Sequence, residues 1–229
     1  MLYMIHACNE RSWYVKDYLI PSMVSQGILR DHILVWTDKD NKGNLLSCVE
    51  SFAKCGKYKG LTWHLQDDVL ISRDFRVKTQ SASGSQITCG FCPLCFSSQH
   101  SNVGEVKSYQ MWWSFQCIGI PNDIAKEFSD WFKNDCSLRD RESVQSKIKE
   151  GKNDDWFFKK FIRECHPYIV VNNLRPNIVE HIDYLIGGSM VNKGRTRDMS
   201  ATWFKDKDLV EKLRKRLEEN EKLSRTDET

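Results

Sequence analysis

Two adjacent carboxylates, Asp67 and Asp68, follow an apolar stretch at 61–65 that has the pattern of a buried strand. Neighbouring like charges cost electrostatic energy unless a cation or a basic group compensates them. Hard divalent cations take oxygen ligands and often bridge protein carboxylates to a diphosphate. The pair therefore indicates either a metal site with Asp68 as a ligand or a solvated turn before a helix that starts near Ser72.

A histidine and a second acidic pair lie further along the chain. His181 ends the segment Pro176–His181, and neutral imidazole is a common ligand of divalent metals, although a structural histidine fits the pattern as well. Asp154 and Asp155 open a predicted helix, where one acidic residue is explained by the helix dipole. The other acidic residue is a candidate general base.

Strand and helix patterns alternate along the first part of the chain, and this alternation predicts the elements that position these residues. Strands are predicted at 2–8, 33–36 and 61–65, and helices at 13–26 and 45–53. Such alternation predicts an α/β fold with a mostly parallel sheet covered by helices on both faces. Ligands of these folds bind beyond the carboxyl ends of the strands. Polar clusters at 9–11, 38–40 and 66–68 follow the three strands, which predicts a site at that edge.

Patterns further along predict more elements of the same domain. Strands are predicted at 111–120 and 169–171, helices at 122–132 and 154–162, and an amphipathic helix within a charged C-terminal segment. We expect a single domain at 1–204, which includes a cysteine-containing loop at 78–106, followed by the charged helix and tail at 205–229.

Composition narrows the class of protein. The chain has 229 residues, of which 40% are hydrophobic and 28% charged, so it can bury a core of its own. No stretch has the roughly 18 apolar residues of a membrane span. The net charge of +3 is low for a dedicated binder of duplex DNA. Nine cysteines without a secretory signal predict a reducing cytoplasm.

Three of the cysteines form a cluster with a histidine. Cys89, Cys92, Cys95 and His100 have the spacing C-x2-C-x2-C-x4-H, which could close a tetrahedral structural zinc site. The alternative is a strand at 87–91 with a buried cysteine, followed by a turn.

Taken in order, four short segments resemble nucleotide-sugar glycosyltransferases of the GT-A fold. They are Asp38-Lys39-Asp40, Leu65-Gln66-Asp67-Asp68-Val69, Asn153-Asp154-Asp155 and Pro176-Asn177-Ile178-Val179-Glu180-His181. The likeness extends over residues 1–200. The stretches 113–122 and 180–189 are similar to small glycosyltransferase-like proteins encoded by bacteriophages.

The resemblance implies a role for each matching residue. Asp68 corresponds to the last aspartate of the family's Asp-x-Asp motif, with Gln66 in place of the first, and His181 would complete the shell of Mn²⁺ or Mg²⁺. Asp154 or Asp155 would deprotonate the acceptor hydroxyl. The residues expected at the donor nucleotide are Ala7, Asn9, Glu10, Arg11, Asp38, Asn44 and Asp67. Lys193 and Arg195 lie on a basic loop that either covers the diphosphate or is merely solvated.

The expected activity is transfer of a sugar from a nucleotide diphosphate donor, most naturally a UDP-sugar, to a hydroxyl acceptor. The phage likeness implies a hydroxymethylated pyrimidine in DNA as one acceptor and the host cytoplasm as the location; a protein or glycan acceptor stays open. Two alternatives remain. One is a non-catalytic nucleotide- or nucleic-acid-binding module with a structural zinc, and the other is a nucleotidyltransferase.

Overall fold

Strands and helices alternate through much of the part of the chain that the structure describes. The computed structural model describes residues 1–40, 42–82, 86–90, 105–107 (backbone), 115–136, 154–174, 177–182, 185–186, 211–216 and 218–219. The strands are β1 (Leu2–Ala7), β2 (Ile33–Thr37), β3 (Leu61–Gln66), β4 (Val69–Ile71), β5 (Ile87–Cys89), β6 (Glu105–Lys107), β7 (Cys117–Pro121), β8 (Val170–Asn173) and β9 (Val179–His181). The α-helices are α1 (Ser12–Tyr14), α2 (Ile20–Ser25), α3 (Asn44–Cys55), α4 (Phe75–Ser81), α5 (Asn122–Trp131) and α6 (Asp154–Cys165).

The main sheet has seven strands in the order β2-β1-β3-β7-β5-β8-β6. Strand β1 pairs in parallel with β2 and β3, and β5 pairs in parallel with β8. Strand β7 is antiparallel to β3 and β5, and β6 is antiparallel to β8. Strands β1, β2, β3, β5 and β8 therefore share one direction, and the predicted α/β fold with a mostly parallel sheet flanked by helices is confirmed.

Successive side chains of the strands point to opposite faces of the sheet and pack into two hydrophobic cores, one on each face. On one face Tyr3, Ile5 and Trp63 are buried against the helices that follow β1 and β4. On the other face the aromatic rings of α3, α5 and α6 meet: the Phe52 centroid lies 5.6 Å from those of Phe128 and Phe158. Because helices cover both faces, the strand ends are the places where polar side chains can gather.

The predicted helix at 13–26 is present but is not regular. A 3-10 turn at Asn9–Arg11 leads into α1, a π-helical turn at Val15–Leu19 follows, and α2 then ends at Ser25. Pro21 lies in the first turn of α2 and has no N–H to donate to the carbonyl four residues earlier. Single π turns inside helices are frequent at functional sites.

The C-terminal helix, residues 211–216, packs on this irregular helical segment. Leu213 is fully buried in the same core as Tyr3. The Arg216 guanidinium lies 4.4 Å from the Trp13 ring centroid, and its Nη1 is 3.3 Å from Asp17 Oδ2. The predicted amphipathic helix is thus confirmed at 211–216.

Among all described helices, none has both the length and the apolar character needed to cross a membrane.

Strand β7 begins later than its apolar pattern predicts. The predicted strand covers 111–120, whereas β7 starts at Cys117 and ends at Pro121; residues 111–114 lie outside the described residues. Phe115 is buried, and its ring centroid is 5.4 Å from that of Phe158. Phe115 lies outside β7, and its apolar character reflects packing in the core, which is why the strand prediction is wrong at this residue.

Candidate active site

A short antiparallel pair of strands brings Asp68 and His181 together. Strand β3 ends at Gln66, Asp67 and Asp68 form the turn, and β4 begins at Val69. Strand β4 pairs with β9 so that Val69 lies opposite His181. The N–H of Ile182 donates to the carbonyl of Asp68 at 2.8 Å. This pairing fixes His181 beside the carboxyl end of β3.

The two side chains meet in a buried position. His181 Nε2 lies 3.1 Å from Asp68 Oδ2, and each residue is 8% exposed. Burial disfavours the charged form of Asp68, but His181 and Arg11 outweigh it and lower the pKa of this carboxyl to about 2. Its second oxygen, Oδ1, is buried and accepts no hydrogen bond from any described residue. Asp68 is therefore an ionised carboxylate with a lone pair available.

Arg11 faces both carboxylates from the turn after β1. Its Nη1 lies 2.9 Å from Asp67 Oδ1 and 2.7 Å from Asp68 Oδ2, and the residue is only 4% exposed. Burial opposes its charge, but the two carboxylates prevail and raise its pKa. The guanidinium is therefore a fixed positive charge inside the cluster.

Both carboxylate oxygens of Asp67 accept hydrogen bonds from residues that follow β1. Its Oδ2 accepts the Cys8 N–H at 2.7 Å while its Oδ1 faces Arg11, so both oxygens have partners. Burial and the neighbouring Asp68 raise the pKa of Asp67. The Tyr14 hydroxyl donates to the Val69 carbonyl at 2.8 Å, which adds a third tie between residues 8–14 and 67–69. The sequence pattern of Tyr14 predicts only an apolar helix position, so this tie emerges from the structure alone.

Asp68 and His181 have the separation of two neighbouring ligands of one cation. At metal–ligand distances of about 2.1 Å, adjacent positions of an octahedron lie about 3 Å apart. The 3.1 Å between Nε2 and Oδ2, together with the unpartnered Oδ1, fits this arrangement. Within the described ranges no cluster of three or more His, Cys, Asp and Glu side chains converges on one point. Phosphate and water oxygens would have to complete the shell, as is usual for Mg²⁺ at substrate phosphates.

The other residues predicted at the nucleotide lie at the same edge of the sheet. Strand β1 ends at Ala7, which is buried, and the exposed Asn9 and Glu10 follow. The carboxylate of Asp38 accepts the N–H groups of Lys42 (2.9 Å) and Gly43 (2.8 Å), so it shapes the loop that leads into α3. The predicted nucleotide residue Asn44 is exposed at the first position of α3. The predicted residues Lys193, Arg195, Cys92, Cys95 and His100 lie outside the described residues.

Asp154, one of the two predicted candidates for the general base, begins α6 on the other face of the sheet. The ring centroid of Phe157 in this helix lies 5.4 Å from that of Phe132, which follows the last residue of α5. Strand β7 runs antiparallel to β3, so α5, which follows β7, runs back towards the edge of the sheet where β1 and β3 end. Burial, and then the neighbouring Asp155, raise the pKa of Asp154 to about 7. Asp155 instead accepts the Trp156 N–H at 2.8 Å and lies 3.4 Å from Lys159. Asp154 can therefore exchange a proton near neutral pH.

Cys89, the first residue of the predicted zinc cluster, lies in β5 and is 1% exposed. This placement agrees with the alternative of a strand that buries a cysteine. Because the other three members of the cluster are outside the described residues, the zinc site stays a prediction.

The half-buried His6 and the buried His64 lie beneath the site and make polar contacts that the apolar pattern of their strands does not predict. His6 Nε2 and His64 Nδ1 lie 3.0 Å apart, and Ser51 Oγ lies 3.4 Å from His6 Nδ1. His64 Nε2 is buried with no hydrogen-bond partner among the described residues. Burial lowers the pKa of His6 to about 4, and burial and His6 together lower that of His64. Both imidazoles are therefore neutral in the folded protein at pH 7.

We expect this pair to make the fold sensitive to acid. The unfolded chain protonates its histidines near pH 6.5, so the stabilising effect of the neutral pair is complete above that pH and is lost as the pH falls towards 4. For His6 the lowered pKa corresponds to a loss of about 3 kcal/mol by pH 4. Urea unfolding from pH 8 to 4 measures it. His64→Phe should flatten the acid limb, while a variant of the exposed His32, His32→Gln, should not; equal acid limbs in both variants would contradict the assignment.

Comparisons with known proteins give low-similarity matches to solved structures. No family model matches the sequence, and neither does any curated protein. The structure is similar to A197 from STIV at 14% identity, with 80% of this chain and 86% of that chain covered and a TM-score of 0.40. It is similar to the galactosyltransferase LgtC in complex with donor and acceptor sugar analogs at 11% identity, 93% and 95% coverage and a TM-score of 0.45.

A third neighbour is a Bacillus anthracis protein described as a glucose-1-phosphate thymidylyltransferase, in complex with a sucrose. It is 8% identical, with 76% of this chain and 87% of that chain covered and a TM-score of 0.36. Glycosyltransferase and nucleotidyltransferase structures thus both occur among the neighbours. At these identities and TM-scores the matches assign no activity and no residue to this chain.

Proposed function

We propose that this chain transfers a sugar from a nucleotide diphosphate donor to a hydroxyl acceptor and that a divalent cation held by Asp68 and His181 assists the reaction. One observation supports the proposal most strongly. Beyond the carboxyl end of β3, an ionised carboxylate with an unpartnered oxygen lies 3.1 Å from a histidine nitrogen. Ligands of open α/β sheets bind at that edge.

Different parts of the chain would bind the donor and accept the proton of the acceptor. A bound divalent cation neutralises the charge that develops on a departing diphosphate. The turns that follow β1 and β2 border the same edge and would hold the base and ribose of a UDP-sugar. Asp154 would accept the proton of the acceptor hydroxyl while that oxygen bonds to the sugar carbon and the bond to the diphosphate breaks. A pKa of about 7 suits a general base at neutral pH.

We propose a hydroxymethylated pyrimidine in DNA as the first acceptor to test, since part of the chain resembles phage-encoded glycosyltransferase-like proteins. A hydroxyl on such a base has the same need for a proton acceptor as a sugar hydroxyl. Glycan and protein hydroxyls are the comparison substrates.

The first test is a thermal-shift panel of UDP, GDP, CDP and ADP, each with Mn²⁺ or with chelator. A nucleotide present at about 100 times its Kd should add about 2.7 kcal/mol to stability. We expect one diphosphate to stabilise the protein only with Mn²⁺, and Asp68→Asn to abolish this effect. Asp74→Asn, which alters an exposed carboxylate at the start of α4, is the matched control and should retain it. Metal-independent stabilisation that survives Asp68→Asn would contradict the proposed cation site.

Product analysis separates the alternatives. Release of UDP from a UDP-sugar in the presence of acceptor supports sugar transfer. Release of pyrophosphate from a nucleoside triphosphate would indicate a nucleotidyltransferase instead. Binding without either product would indicate a non-catalytic module.

A further inference from the structure

Arg11 already supplies a cation to the carboxylate that the proposed metal would need. Its Nη1 is 2.7 Å from Asp68 Oδ2, and this same oxygen is the one that lies 3.1 Å from His181 Nε2. An oxygen held this closely by a guanidinium cannot bind a divalent ion at full strength, because the two cations repel each other over a few ångströms in a buried site.

The cluster nevertheless leaves one buried acceptor without a partner. The Oδ1 atom of Asp68 has no hydrogen-bond partner among the described residues, whereas its Oδ2 atom faces both Arg11 and His181. A buried acceptor without a donor is costly, so this oxygen favours an additional cation. Asp68 is where that cation would bind, because both oxygens of Asp67 already have partners.

The contacts of Asp67 show where the guanidinium can remain. Asp67 Oδ2 is fixed by the Cys8 N–H at 2.7 Å, and its Oδ1 lies 2.9 Å from Arg11 Nη1. Arg11 can therefore give up Asp68 and keep Asp67 without leaving a buried guanidinium unpaired. The Nη1 donor released from Asp68 would then be available to a phosphate oxygen, a group that arginine binds well.

We propose that Arg11 is a built-in counter-ion that competes with a divalent cation for Asp68. In the absence of metal the guanidinium bridges both aspartates. When the cation binds, the guanidinium withdraws to Asp67 and presents the N–H released from Asp68 to the diphosphate of the donor. The inference rests on the metal part of the proposed function, and it predicts that metal and nucleotide each bind weakly alone and tightly together.

The test measures Mn²⁺ binding in the absence of nucleotide, by electron paramagnetic resonance and by thermal shift. Arg11→Met should be less stable than the wild type without metal and should bind Mn²⁺ more tightly, by about tenfold or more. Arg11→Lys keeps the charge and should bind Mn²⁺ as weakly as the wild type. The double variant Arg11→Met/Asp68→Asn should lose the gain. Arg30→Met removes the same charge from an arginine that donates to the Ile33 carbonyl, and it should behave as the wild type.

Equal or weaker Mn²⁺ binding by Arg11→Met would overturn the competition and make Arg11 a residue that merely positions Asp68. If neither protein binds Mn²⁺, the competition is overturned as well, while UDP binding and UDP release still decide the proposed function. If Arg11→Met does not fold, Mg²⁺ titration of the wild type replaces it, followed through the ¹⁵N signal of the Arg11 guanidinium. That signal should move as Mg²⁺ binds; a signal that stays unchanged at saturation would overturn the proposal.

Discussion

Replacing Asp67 by asparagine should lower the free energy of unfolding by about 3 kcal/mol, the range expected when one partner of a buried ion pair is removed. The amide cannot compensate Arg11, and one of its two polar atoms becomes a donor facing either the guanidinium or the Cys8 N–H. The same change at Asp68 should cost at least as much, because Oδ2 of Asp68 contacts both Arg11 and His181, and these two groups lower the pKa of its carboxyl. Both aspartates therefore stabilise the fold, and of the two only Asp68 has an oxygen without a described partner.

Urea unfolding at pH 7, with equal m-values as the check on two-state behaviour, measures both changes. Asp74→Asn at the exposed start of α4 is the control and should stay within about 0.5 kcal/mol of the wild type. An Asp68→Asn loss clearly smaller than that of Asp67→Asn would contradict this expectation. UDP binding should separate the two variants: Asp68→Asn should abolish metal-dependent UDP binding, and Asp67→Asn should weaken it only as far as it loosens Arg11.

Replacing Asp154 by asparagine should slow sugar transfer by about 10²- to 10⁴-fold, the usual contribution of a general base. The Kd for UDP should not change, since Asp154 lies on the opposite face of the sheet from Arg11. In the wild type the rate should rise with pH through about 7 as Asp154 loses its proton, and this rise should be absent from the variant. Initial rates from pH 5.5 to 8.5 measure it, and an unchanged profile would exclude Asp154 as the base.

Asp155 provides the matched control, because it contributes to the raised pKa of its neighbour. Asp155→Asn should keep the transfer activity and shift the midpoint of the pH profile below 7. Burial is the larger cause of the raised pKa, so the midpoint should stay above that of an ordinary aspartate. A midpoint that does not move would show that another group titrates.

We expect the raised pKa of Asp154 to make the free energy of unfolding fall as the pH rises. A pKa raised to about 7 in the folded state means that the stabilising contribution is present at low pH and is lost as the pH rises from about 4 through 7. Asp154→Asn should therefore be more stable than the wild type at pH 8, by about 1–2 kcal/mol after allowance for partial exposure. At pH 4 the two proteins should unfold at similar urea concentrations.

Much of the architecture follows from patterns visible in the sequence. The apolar runs at 2–8, 33–36 and 61–65 are short, carry turn residues at their ends and alternate with helical spacing, so the parallel strands β1, β2 and β3 are predictable. Each run is followed by polar residues, and parallel strands bring such ends to one edge. The expected proximity of the loop after β1 to Asp67 and Asp68 depends on nothing more than this.

Other features of the site depend on pairings that no local pattern encodes. Strands β4 and β9 have three residues each, too few for an alternating signal, yet their register sets His181 beside Asp68. Arg11 lies in a polar run whose sequence does not indicate burial, and its burial requires two carboxylates that are 56 and 57 residues away. The His6–His64 contact likewise exists only because β1 and β3 are neighbours. Long-range register, and not composition, decides these three features.

The packing of the C-terminal helix has a consequence for the order in which the site can be built during synthesis. Strands β1, β2 and β3 and helix α3 lie within the first 66 residues and can associate while the rest of the chain is still on the ribosome. The helical segment after Arg11, however, is covered by Leu213 and Arg216. The helical segment that follows the arginine of the site therefore completes its packing only after residue 216 has left the ribosome, so a nascent chain without these residues has its strands but an incompletely packed segment beside the site.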